Sequence, residues 1–317
     1  MKKKKKVTSQ MIILEAHSAI VKTLLERSLD PNDKLSESYE CCDFDGVSFL
    51  IRLEKPKGAK DENAKYPVRV EMKLPCWEAI KQYGAEERYK ELYGKWKVAP
   101  TDGRTHAVVV NLWEMSAAEQ KATIELIANL KPNMLGAPFL WVAKKVNAKE
   151  NFAPFEIPYR AHTGESIFLS PAEKGATAIF TIRFNDPGDR IIGNVFFGEL
   201  SAARTRVRSA PIVAFSDKCP GELEAFHLRP EVKDGSLFAY VSMSLLAASL
   251  SERKRQDTSV YVPMFRDYLH YHIKCTKAFL HQKMRNRTAL LLKILDEAKP
   301  EPKVKVARTV TGKIVNH

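Results

Sequence analysis

The stretch FRDYLHYHIKCTKAFLHQKMRNRTALLLKILDEAK, from Phe265 to Lys299, gathers histidines, a cysteine and a run of basic residues. Those types can ligate a metal, make a thiol–imidazole nucleophile, or face an acidic polymer. The spacing argues against the first two. On a helix, His270 and His272 diverge by about 200° and cannot share one ion. His272 and Cys275 lie three apart and can meet, but a structural zinc site takes four ligands. Cys275 sits among lysines, which favour its thiolate, yet no orienting carboxylate lies nearby in the sequence. His272 reads as a packed or interface residue. No metal and no cofactor are expected.

At helical period the same stretch resolves into two stripes. Phe265, Leu269, Ile273, Thr276, Leu280, Met284, Leu291 and Leu295 form a long apolar one, interrupted by Arg287. Thirty-five helical residues extend about 50 Å. That exceeds what one small domain's sheet covers, so part of the stripe is expected to pack on another chain. His270, Lys274, Lys277, His281 and Arg285 form a second, basic stripe; Lys283, Arg287 and Lys293 flank other sides. This is either a docking face for an acidic partner or a solvated helix face. Arg204, Arg206 and Arg208 in ARTRVRSAP alternate and share one side if the segment is extended, where guanidiniums engage carboxylates or phosphates.

Other chemistry is weakly signalled. There is no GxGxxG, no GxxxxGK[ST] and no GxSxG. DFDGV at 43–47 starts like a calcium loop, but Val47, Phe49 and Ile51 continue as a strand, so it reads as a turn. Cys41 and Cys42 read as a buried pair of small residues. An enzyme has no acid–base pair or cofactor loop behind it.

The elements that must carry these residues follow from periodicity. Residues 1–10 read as a disordered basic tail, and helical spacing runs over Leu14–Ser28. Strands are expected at Val47–Leu53, Val68–Leu74, Trp96–Val98 and Ala107–Trp113. Trp77–Tyr93 reads as a helix broken at Gly84. Ser116 and Glu119 have capping-box spacing and open a helix, which Pro132 interrupts before apolar periodicity resumes to Val146. Further strands are expected at Phe155–Arg160, Ser166–Leu169, Thr177–Phe184, Ile191–Leu200, Pro211–Phe215 and Phe238–Leu246. The fold class is α+β: two similar sheet-plus-helix domains in tandem (11–150 and 151–262), a long helix over 263–299 and an extended tail over 300–317.

Charge placement narrows the partner. The net charge is +13, and the lysines 2–6 together with twelve Lys/Arg against four Asp/Glu in 264–317 account for all of it. Residues 7–263 carry 34 of each sign. A nucleic-acid or ribosome-associated protein is the alternative reading, but a neutral body without a recognisable RNA or DNA module speaks against it. No apolar run reaches the roughly 20 residues of a membrane span. The segment after the lysines carries Glu15, His17 and Lys22, unlike a secretory signal. Five cysteines without CxxC spacing fit reduced thiols in the cytosol.

FRDYLHYHIKCTKAFLHQKMR and the TVTGK tail resemble the C-terminal region of the subunit 2 family of the actin-related protein 2/3 complex. DFDGV (43–47), GAEERYKELYG (84–94), IGNVFFGEL (192–200) and SAPIVAFSDKCPGEL (209–223) fall in the order of that family. The likeness covers roughly residues 11–315; the middle, 100–180, matches only in pattern. Lys2–Lys6 precede the family's usual start, and the KPKGAKDENAK and 225–236 loops depart from it.

The resemblance implies a non-enzymatic scaffold subunit of two stacked domains and a long last helix. It implies pairing with the complex's subunit 4, support of the two actin-related proteins, and contact with the side of an actin filament from which a branch grows. Arg204, Arg206, Arg208, Lys274, Lys277, Lys283, Arg285 and Lys293 are the candidate filament contacts; Leu280, Met284, Leu291 and Leu295 are the candidate partner-subunit contacts. Of these, Arg204, Lys274, Lys277, Lys293 and the apolar positions fall on matching motif positions. The others rest on helix geometry or local charge.

Overall fold

The computed structural model describes residues 15–30, 38–55, 65–206, 212–225, 237–299, 307–308 and 314–315. Residues 1–14 and most of the tail lie outside them, so the expectations for those segments are not addressed. The described backbone is α+β: two antiparallel sheets with helices, then a long helix. The chain to Tyr271 forms one compact unit, and the chain from His272 a second.

The first sheet has the order β1 (Tyr39–Cys42), β2 (Ser48–Leu53), β3 (Val68–Lys73) and β4 (His106–Val110), each pair antiparallel. Phe49, Ile51, Val68, Val70 and Met72 are buried, as strand alternation requires. Five helices accompany it: α1 (Ala19–Arg27), α2 (Trp77–Ile80), α3 (Glu86–Tyr93), α4 (Ala117–Ala128) and α5 (Leu130–Asn147). The expected break at Gly84 is real: Tyr83 leaves helical geometry and Gly84 adopts φ 84°. The capping box is formed, with Glu119 N–H donating to Ser116 Oγ and Ser116 N–H to Glu119. Pro132 falls in the first turn of α5, where a missing N–H breaks no helical hydrogen bond.

The second sheet runs β5 (Phe155–Arg160), β6 (Glu165–Ala172), β7 (Gly175–Phe184), β9 (Leu237–Leu246) and, at the edge, β8 (Ile212–Ser216). Between β7 and β9 the chain also makes α6 (Pro187–Arg206) and α7 (Gly221–Ala225). Phe168, Ile179, Leu223 and Tyr240 form one core cluster, and Phe197 stacks on Phe215. After β9 come α8 (Arg255–Tyr261), α9 (Phe265–Glu297) and a short antiparallel pair of β10 (Ala307–Arg308) and β11 (Ile314–Val315).

Three expectations are corrected. Ile191–Leu200 is not a strand but the middle of α6. Asp186 accepts a hydrogen bond from Gly188 N–H at 2.7 Å and Pro187 takes the first helical position, so the segment is capped as a helix. Its inward residues, Gly193, Phe196, Phe197 and Leu200, follow helical period, while Ile191 and Val195 are exposed. Trp96–Val98 is not a strand: Trp96 ends a 3₁₀ turn over Gly94–Trp96, and Lys97 makes a single bridge to Val108. Cys41 is half-buried and Cys42 exposed, because successive residues of an edge strand face opposite sides.

Candidate assembly surface and the anchor of the last helix

The last helix has two regimes. In its first nine residues Arg266, Leu269 and Ile273 are buried, and Phe265 meets Phe180 of the second sheet, ring centroids 5.5 Å apart. From Ala278 to Glu297 every residue is exposed. The apolar positions named from the sequence lie in this bare segment: Leu280, Met284 (65% exposed), Leu291 and Leu295. The sequence reading stopped short of four more, Phe279, Leu290 (60% exposed), Leu292 and Ile294. At 100° per residue, Leu290, Ile294, Leu291, Leu295 and Leu292 cover about 200° of the circumference. The signal was present in the run ALLLKIL, which is too continuous for a narrow stripe. Soluble single chains rarely leave so large an apolar surface in water.

The basic candidates divide. Lys274, Lys283, Arg285 and Lys293 are exposed on α9, and Lys277 is half-buried. Helical geometry puts Lys274, Lys277 and Arg285 with His270 and His281 within about 80° of arc, overlapping one edge of the apolar arc but nearer the start of the helix; Lys283 and Lys293 lie outside that arc. Lys283 Nζ lies 5.3 Å from the Phe279 ring, one turn back. Arg204 and Arg206 lie on the backbone of α6 rather than on an extended segment, and Arg208 lies outside the described residues. Among the described residues no group of three or more His, Cys, Asp or Glu is placed to hold a metal ion, and no helix is long and apolar enough to cross a membrane.

What fixes the start of α9 was not visible in the sequence. Lys131, 3% exposed, is the only charged residue between Leu126 and Ala143. Its Nζ lies 2.9 Å from Asp43, 2.8 Å from Asp45 and 3.0 Å from Asp267. The DFDGV turn supplies two of these carboxylates. Asp43 N–H donates to Val47 carbonyl at 2.7 Å, Val47 N–H donates to Asp45 Oδ1, and Gly46 takes φ 83° to close the loop. The first turn of α9 supplies the third.

Burial works against the charge on Lys131, but the three carboxylates overcome it and the ammonium is held above its usual pKa. Burial, against the pull of Lys131, raises Asp45 to about 6.

A second ion cluster adjoins it. Arg160 and Arg266 both pair with fully buried Glu165, which also accepts Arg183 N–H at 2.7 Å. The Phe44 ring lies 3.8 Å from the Arg160 guanidinium and 4.6 Å from that of Arg266. It stacks on His270 at 3.7 Å, and Arg160 Nε donates to the Phe44 carbonyl. Cation–π contacts of this kind are worth about 2 kcal/mol when desolvated. The 43–47 turn, α5, β5, β6 and the first turns of α9 are thus tied together by charge.

A helix start held by ion pairs and an exposed apolar continuation define a class: a two-sheet α+β protein with a long, partly bare last helix. The model of a protein family described as "Arp2/3 complex, 34 kD subunit p34-Arc" matches residues 70–302, and the chain belongs to that family. It is also similar to the "Actin-related protein 2/3 complex subunit 2" of Dictyostelium discoideum, 29% identical with 96% of this chain and 98% of the relative covered. The protein of the same name from Schizosaccharomyces pombe is likewise 29% identical, over 96% of this chain and 98% of its own length.

Proposed function

We propose that this chain is a non-catalytic scaffold subunit of an actin-related protein 2/3 complex, made of two tandem domains that meet near residues 148–153. The observation that carries the reading is the exposed apolar face of α9 from Phe279 to Leu295, in a chain of this family. Leu280, Met284, Leu291 and Leu295 pack on the long helix of subunit 4, and the pair forms the core that bears the two actin-related proteins. The basic stripe of Lys274, Lys277 and Arg285, with Lys283, Lys293 and the arginines 204, 206 and 208, faces the side of an actin filament, an acidic polymer. The protein works in the cytoplasm, at branch points of the actin cytoskeleton.

The test is a gentle affinity purification of the tagged chain from its own cells, with gel filtration and mass spectrometry. Co-elution in one particle with two actin-related proteins and smaller subunits supports the reading. A lone monomer peak, or co-elution with ribosomal proteins and RNA, overturns it.

A further inference from the structure

The two clusters at the start of α9 form one charged hub with an unusual balance. Lys131, Arg160 and Arg266 face Asp43, Asp45, Asp267 and Glu165. In these pairs three cations stand against four carboxylates, and Asp189 adds a further negative charge near Arg266. Asp45 and Glu165 are essentially sealed from solvent, and Arg266 is 4% exposed. Both arginines pair directly with Glu165 and reach the aspartates only at longer range, so the three aspartates share one ammonium at ion-pair distance.

We propose that this hub is a proton-operated clasp: uptake of one proton by its aspartates tightens the hold of the 43–47 turn on the first turns of α9, and loss of that proton loosens it. With all three aspartates ionised, Lys131 neutralises one, and the others repel across a site in which Asp45 is sealed while Asp43 and Asp267 keep part of their surface in water. With one protonated, its O–H donates to a neighbouring carboxylate, and the ammonium keeps its remaining partners. Asp267 is the carboxylate contributed by α9, so repulsion within the trio acts directly on the helix.

Cys76 and Tyr159 face the trio and do not compete for the proton. Cys76 beside it is raised to about 12 by burial and stays a thiol. Tyr159 is raised further, again by burial, and stays a phenol. Arg160 and Arg266 remain guanidinium ions in any accessible range. The His270 ring packs on Phe44, and the His162 ring stands 3.5 Å from where a Cβ at Gly46 would be. Asp45, held near 6 by burial, is the member that takes the proton. Its raised value fixes the sign: the folded chain binds this proton more tightly than the unfolded one. Stability from this group therefore grows as pH falls through about 6 and is lost as pH rises through it.

The experiment is hydrogen–deuterium exchange on the full chain, purified with whatever partners it retains, at matched effective exchange times between about pH 5.5 and about pH 7.5. The reading is the peptide spanning Phe265–Tyr271. Wild type is expected to lose protection several-fold as pH rises, while Asp45→Asn keeps one level throughout. Asp267→Asn removes a repelling charge, so its transition moves to lower pH; that variant keeps the test open if Asp45→Asn fails to fold. A flat wild-type profile, an Asp45→Asn profile that still follows pH, or an unshifted Asp267→Asn midpoint overturns the clasp.

Discussion

Lys131 and Asp267 are 136 residues apart in the chain, and their side-chain nitrogen and oxygen are 3.0 Å apart in the fold. Through that contact an interior helix of the first half holds the first turn of the last helix. Replacing Lys131 by Met leaves three aspartates with no cation among them. Breaking a buried pair from one side costs about 3–5 kcal/mol. Lys131→Met should lower stability by that order, read as a shift in the urea midpoint. A change below about 0.5 kcal/mol, the range of surface substitutions, would mean the cluster is solvated and weak.

The bare half of α9 predicts a separation between folding and assembly. Leu291→Asp with Leu295→Asp places two charges on positions already more than half exposed. The chain's own stability should move by no more than about 0.5 kcal/mol. Co-purification of partner subunits should be abolished. Intact co-purification would remove these leucines from the interface.

Charge reversal on the basic stripe tests filament contact separately from assembly. Lys274→Glu, Lys277→Glu and Arg285→Glu together should weaken co-sedimentation with actin filaments and leave assembly unchanged. Binding in wild type should also fall with added salt, because the contact is electrostatic. Undiminished filament binding would make the stripe a solvated helix face.

His106 gives a pH prediction of opposite sign to the clasp. Its ring is buried between Trp77 and Tyr89, with centroids at 4.3 and 4.5 Å. Thr105 Oγ1 donates to Met72 carbonyl, so the 2.8 Å contact to His106 carries the imidazole N–H at Nδ1. Nε2 has no partner. Burial, helped by nearby Lys97, lowers His106 from 6.5 to about 4. The folded chain therefore excludes a proton that the unfolded chain binds. The stabilising contribution is complete above about pH 6.5 and is lost towards pH 4, a span of roughly 3 kcal/mol. His106→Gln should flatten the wild-type pH slope of unfolding free energy in that window; parallel slopes would show that the ring titrates in the fold.

Gly136 marks the closest approach of α5 to α8. A Cβ there would stand 2.5 Å from Ser259 carbonyl oxygen, a backbone atom. Gly136→Ala should cost about 1–3 kcal/mol by overpacking, against the roughly 1 kcal/mol gained in helix propensity. A thermal melt of equal or higher midpoint would show that the two helices can separate freely.

Local chemistry settled much of the outcome. Ser116 with Glu119, the break at Gly84 and the alternation through Phe49 and Ile51 each act within a few residues, so their results are legible in one dimension. The long helix was equally legible, as were its exposed leucines and its net positive charge. Ile191–Leu200 misled because a run rich in Ile, Val and Phe suits either period, and the cap at Asp186 decided it. The arginines 204 and 206 belong to that helix and not to an extended strand.

What the sequence could not supply is the set of partners for Lys131. A lone lysine in an apolar helix announces that counter-ions exist, but the carboxylates come from positions 43, 45 and 267. Coulomb attraction draws them together only after the elements that carry them have packed. Composition and period therefore determined the elements, the apolar helix face and the family likeness. The tertiary structure alone decided which charges share a dry interior, because Coulomb interactions there depend on distances that folding creates between remote parts of the chain.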